Sequence, residues 1–132
     1  MPTITIDSTS HTQMINIDRE IEKLIPKGFT SGVCHLFTMH TTSGLTVNEN
    51  GDPNVVSDMN IFMKDLIPWI NDKYEHSEGN TAAHLKSTIY GPSLTIPIDN
   101  GRLTLGTWQS VYFCEFDGPR NSRKIIVKFI TD

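Results

Sequence analysis

Asn100 and Gly101 stand between two stretches that alternate apolar and polar residues, "SLTIPI" (93–98) and "RLTLG" (102–106). A tight primed turn needs positive φ at both central residues, and Asn-Gly adopts it most readily. The segment therefore predicts an antiparallel hairpin, with sheet on either side of it. "TWQSVYFCEF" and "RKIIVKFI" follow as further strands, separated by a turn at "DGPRNS". The chain has 132 residues, which suits one domain with one core. A βα barrel needs roughly 250.

The N-terminal half adds short strands at "PTITID" (2–7) and "QMINID" (13–18), both alternating. Asp18 is placed to cap a helix whose Ile21, Leu24 and Ile25 share a face, and Pro26 and Gly28 stop it. "GVCHLFTMH" (32–40) is apolar on both parities, as expected of a central strand with two covered faces. "SGLTVNE" (43–49) alternates again. Asp52 then provides an N-cap and Pro53 an N1 residue. The following helix carries a stripe of Val55, Met59, Phe62 and Leu66, widened by Val56, Met63 and Ile67, and ends at Pro68. Residues 71–81 read as a polar loop, and the periodicity of 83–91 leaves helix and strand open. Helices and strands are segregated, so the class is α+β: a single compact domain over residues 1–132, mostly antiparallel sheet with two main helices.

The formal net charge is −4, which gives no basic footprint for nucleic acid. No run reaches the ~20 apolar residues of a membrane helix, and the N-terminus has no signal-peptide pattern. These features predict no nucleic-acid or membrane partner and a cytoplasmic protein. Cys34 and Cys114 lie far apart in apolar strands, as free buried thiols of a reducing compartment would.

Among five histidines, His11 falls in a polar turn and is expected to be solvated. His35 lies inside an apolar strand, as a core or interface histidine. His40, His76 and His84 sit at segment edges near acidic or hydroxyl residues. Three neutral imidazoles suit zinc with an open fourth position, although their spacing is not that of a helical ligand pair. Glu115, in the apolar "CEFDG" segment, must lie at an exposed strand end, or pair with Arg120 or Arg123, or serve a site. Thr41, Thr42, Ser43 and Gly44 form a turn whose backbone N–H groups suit an anion. In "GTWQ", the simplest reading puts Trp108 in a core and Gln109 on the surface.

"HTTSGLTVNENGDPNVVSD" (40–58), the His76–His84 spacing leading into "HLKSTIYGPSLTIPI", and "GRLTLGTWQSVYFCEFDGPRNSR" (101–123) together resemble the YjbQ-like family. That family is also called the secondary thiamine-phosphate synthase family. The resemblance spans nearly the whole chain. It implies a trimer with sites near subunit contacts. It marks His40, Asn48, Glu49, His76, His84, Gln109, Glu115 and Arg120 as the polar family positions.

The activity implied joins a hydroxymethylpyrimidine pyrophosphate to a thiazole phosphate and releases pyrophosphate. On that reading Glu49 and Glu115 are catalytic, and Thr42, Ser43, Asn48, Gln109 and Arg120 bind the phosphorylated substrate. His40, His76 and His84 hold a divalent metal, zinc or magnesium. The alternatives are a metal-dependent hydrolase of a small phosphorylated or amide metabolite, with Glu49 as base, and a non-catalytic trimeric binding protein.

Overall fold

The computed structural model describes residues 1–132. Two antiparallel sheets pack face to face. The larger contains β1 (Thr3–Ile6), β8 (Arg123–Thr131), β3 (Gly32–Thr38), β5 (Ser93–Asp99) and β6 (Arg102–Leu103), in that order. The smaller contains β2 (Gln13–Asn16), β7 (Gln109–Glu115) and β4 (Ser43–Glu49). The β5–β6 hairpin turns at Asn100 and Gly101, with φ of 52° and 71°. Strand alternation decides what enters the space between the sheets. Cys34 and Leu36 of β3, Ile96 and Ile98 of β5, Ile125 and Val127 of β8, Leu45 of β4, and Val111 and Phe113 of β7 meet there as one buried cluster. The short α1 (Asp18–Leu24) adds Ile21 to it.

The other face of the smaller sheet is also covered. Tyr112 and Cys114 of β7, with Phe116 just beyond it, pack with Ala83 of α3 (Thr81–Tyr90) and partly buried Val56 of α2 (Pro53–Leu66). So β7 is buried on both faces, whereas β3 is not: its outward Phe37 is 43% exposed. Two covered faces were expected for β3, and within one chain only one is covered. The contact of α3 with β4 is close, because a Cβ at Gly44 would stand 2.7 Å from Tyr90 Cβ.

Several local expectations are corrected. Asp52 caps α2, accepting from the Asn54 N–H at 2.9 Å, but the packed stripe of that helix is the other one. Met63 and Ile67 are buried, whereas Phe62 and Leu66 are 63% and 57% exposed. Asp18 is the first residue of α1 rather than its cap, and its carboxylate is committed to β7 through Ser110 Oγ and the Val111 N–H, each at 2.7 Å. The segment that left helix and strand open is helical, as α3. Trp108 is 64% exposed rather than in the core. His11 is solvent-exposed, as expected, and its ring also packs edge-on against Trp69, with centroids 4.4 Å apart.

Candidate functional site

The same alternation that builds the core places a polar plug at one end of it. Val111 and Phe113 point between the sheets, so Glu115, on the same parity, does too. Its cross-strand partner in register is Ser43. Glu115 is fully buried and ion-paired with Arg123, whose Nε donates to it at 2.9 Å and whose Nη2 donates to its other oxygen. Ser8 Oγ and the Asp117 N–H donate to the same carboxylate at 2.7 and 3.1 Å. Burial raises the Glu115 pKa, but hydrogen bonds from Arg123 and Ser8 and the Arg123 charge outweigh it and hold the group below the usual carboxylate range. Ser43 Oγ is tied to Thr38 Oγ1 at 2.8 Å, and Arg123 Nη2 also donates to Thr42 Oγ1 at 2.8 Å.

Two adjoining hollows of about 630 and about 390 Å3 open beside this plug and share Met39, His40, Thr41 and His84. The smaller is lined by Thr42, His76, Glu78, Asn80, Arg120 and Arg123 as well. These residues arrive from four separate segments. His40 to Thr42 form the β3–β4 turn, His76 and Glu78 belong to the turn before α3, His84 lies on the first turn of α3, and Arg120 follows β7. The rings of His76 and His84 meet edge to face with centroids 5.5 Å apart. Arg120 is held by Asp117, at 2.7 Å from its carboxylate and 3.0 Å from its carbonyl, yet its side chain is 48% exposed. Asn80 donates to Asp117 at 3.0 Å, while its buried Oδ1 has no donor in the chain.

His40 is fixed by an unusual partner. Its Nε2 accepts the backbone N–H of Lys124 at 2.8 Å, which assigns the ring as the neutral tautomer protonated on Nδ1. Burial lowers its pKa, and Arg123, Arg120 and Lys124 lower it further against the opposing pull of Glu115. The field at this histidine is thus set by three cations and one anion.

Of the residues marked by the sequence, His40, Thr42, His76, His84 and Arg120 come together. Asn48, Glu49 and Gln109 do not. Glu49 pairs with Gln109 at the far end of β4 and β7 from the Ser43–Glu115 pair. The separation is roughly 20 Å at the ~3.4 Å rise of an antiparallel strand. There Asn48 Oδ1 accepts the Glu49 N–H at 2.8 Å, Glu49 Oε2 accepts the Gly51 N–H at 2.9 Å, and Gln109 Oε1 accepts the Gly106 N–H at 2.8 Å. His40 and the Asn48–Glu49 pair are therefore held apart within one chain, because the extended β4 separates them.

Glu115 and Ser43 lie behind the hollow rather than in it. Every donor around the Glu115 carboxylate is internal, so it is the structural partner of Arg123 and not a free base. Glu78 and Asn80 also line the hollow; in the sequence only the nearness of Glu78 to His76 in "HSEGN" marks the first, and nothing marks the second.

A three-histidine metal centre does not fit this arrangement, because the His40 lone pair is already used by Lys124. The imidazole rings of His76 and His84 make no hydrogen bond, and no three His, Cys, Asp or Glu side chains group tightly enough within the chain to hold an ion.

The fold and site define a two-sheet α+β sandwich with a helix-backed polar hollow at one end of its core. The chain belongs to the YjbQ-like family: its residues 2–132 match the family described as "UPF0047 protein YjbQ-like". It is 48% identical to the UPF0047 protein YugU of Bacillus subtilis over 121 residues, covering 91% of this chain and 92% of that one. It is 42% identical to the UPF0047 protein YjbQ of Salmonella typhimurium over 99 residues, 73% and 71% of the two chains. A crystal structure of a YjbQ/UPF0047-family protein from Clostridium acetobutylicum is similar, with a TM-score of 0.93 and 41% identity over 98% of this chain and 100% of that one. A YjbQ-like protein from Sulfolobus solfataricus keeps a TM-score of 0.92 at 27% identity, over 99% and 96% of the two chains.

Proposed function

We propose that the hollow beside His40 binds a phosphorylated small molecule and that the chain transfers a hydroxymethylpyrimidine group from its pyrophosphate to a thiazole phosphate. The observation that carries this reading is the convergence of Arg120, Arg123, His40, His76 and His84 on one polar hollow. Arg120 is the exposed guanidinium of the hollow, and a fork of N–H donors is the natural partner of phosphate oxygens. The His40 Nδ1–H and the N–H groups of the 40–42 turn are further donors.

The chemistry suits such a site. The methylene C–O bond breaks with its electron pair leaving on pyrophosphate, and the thiazole nitrogen then bonds to the methylene carbon. That nitrogen carries no proton to lose, so the transfer needs anion stabilisation and alignment rather than a general base. The hydrolase alternative required three histidine lone pairs and Glu49. The commitment of His40 Nε2 and the distance of Glu49 both count against it within one chain.

The free ring nitrogens of His76 and His84 are the place for a divalent ion, zinc suiting imidazole better than magnesium, with other ligands supplied from outside the chain. We also propose a homotrimer. In its support, the outer face of the larger sheet carries Val33 paired with Ile130 and Phe37 paired with Ile126, uncovered by any element of the chain. Phe37 adjoins His40 in the larger hollow, so assembly on this face would place subunit contacts near the site.

Calorimetric titration with pyrophosphate tests the binding step. Arg120→Ala should weaken the affinity at least tenfold, about the 1.5–3 kcal/mol of a hydrogen bond to a charged group. Equal affinity in the two proteins would remove Arg120 from the site.

A further inference from the structure

A second cavity of about 500 Å3 lies apart from His40, between α2, α3 and the loop joining β1 to β2. Lys86 lines it from α3 and Lys64 from α2, with Ser10, Thr12 and Ser57 supplying hydroxyls and Trp69 an aromatic wall. Lys86 is only 5% exposed. The three ion pairs of the chain involve His11, Arg120 and Arg123, and the Lys86 side chain pairs with none of the chain's carboxylates, its stem buried and its ammonium at the cavity surface. No carboxylate lines the cavity. Every other buried charge in this protein is matched: Glu115 and Arg123 neutralise each other.

A buried ammonium without a counter-charge is costly, and a second ammonium nearby makes it worse. Burial and then Lys64 indeed push the Lys86 pKa down. A lysine serving only packing is replaceable by Met without this penalty. Two cations and three hydroxyls facing a carboxylate-free cavity complement a small oxyanion.

We infer that this cavity is a second binding site, for a phosphate or carboxylate group, with Lys86 as its buried anchor and Lys64 at its mouth. Anion binding supplies the missing counter-charge, and Trp69, packed against His11 at the cavity wall, reports on it. The site is independent of the transferase reading, since it shares no lining residue with the His40 hollow.

The test follows the Trp69 indole N–H by NMR while inorganic phosphate is added at constant ionic strength. A saturable shift is expected, weakened at least tenfold in Lys86→Met and several-fold in the more exposed Lys64→Met, which serves should the first variant misfold. Arg120→Ala separates the two sites, because it should leave the Trp69 shift intact even where it abolishes binding at the His40 hollow. Repeating the titration with acetate distinguishes phosphate from carboxylate recognition. A linear, non-saturating response, or equal affinity in the wild-type and both lysine variants, would overturn the inference. So would a phosphate-insensitive Trp69 in a protein that dissociates on Lys86→Met, since Lys86 would then pair with a carboxylate of a second copy.

Discussion

At the scale of single residues, the Glu115–Arg123 pair shows how one side chain separates structure from function. A carboxylate inside an apolar strand reads from sequence as a structural pair or as a catalytic group, and nothing local decides between them. Register decides: parity with Val111 and Phe113 sends Glu115 between the sheets, where Arg123, Ser8 and the Asp117 N–H use its oxygens. Removing its charge strands a buried guanidinium, so Glu115→Gln should cost about 3–5 kcal/mol in chemical denaturation. Because the folded-state pKa lies below the ordinary 4.5, this contribution is fully present above that value. It is lost as the pH falls through the lower folded-state pKa. Stability of the wild-type protein should therefore fall on acidification below about pH 4.5, and Glu115→Gln should flatten that fall. A variant as stable as wild type, with the same acid dependence, would refute the structural role.

Among the elements, most strands and the start of α2 were legible because their signals are local, whereas the Asp18 cap was not. The Asn100–Gly101 turn, the 43–49 strand and the Asp52–Pro53 helix start all stand where residue chemistry places them. What α2 packs with was not legible, since it carries apolar residues on two neighbouring stripes and only tertiary contact chooses between them. Met63 faces Ile67, Ala82 and Trp69, whereas Phe62 looks outward. Met63→Ala should accordingly cost about 2–5 kcal/mol, and Phe62→Gln should stay within about 0.5 kcal/mol. Thermal unfolding of the two variants measures this, and the reverse order would mean that the other stripe packs. The site was half legible for a related reason. His40, His76, His84 and Arg120 converge from loops and the start of α3, but Asn48, Glu49 and Gln109, grouped with them by the family resemblance, stand at the other end of seven-residue strands.

For the whole molecule, the outer face of the larger sheet matters most. Val33, Phe37, Ile126 and Ile130 leave apolar groups on this face on either side of the His35–Lys128 pair, beside the candidate site, a mixed surface that a partner chain would cover. Light scattering should report three chains per particle, and the double substitution Phe37→Glu, Ile130→Glu should yield monomers. A wild-type monomer would remove the trimer from the account. The central claim, however, is the reaction at the His40 hollow. Purified protein supplied with the pyrimidine pyrophosphate and the thiazole phosphate should release pyrophosphate and thiamine phosphate in equal amounts, and Arg120→Ala and His84→Ala should each lower that rate at least tenfold, about 1.4 kcal/mol of transition-state stabilisation. Absence of product at saturating substrates, or rates unchanged in both variants, would contradict it.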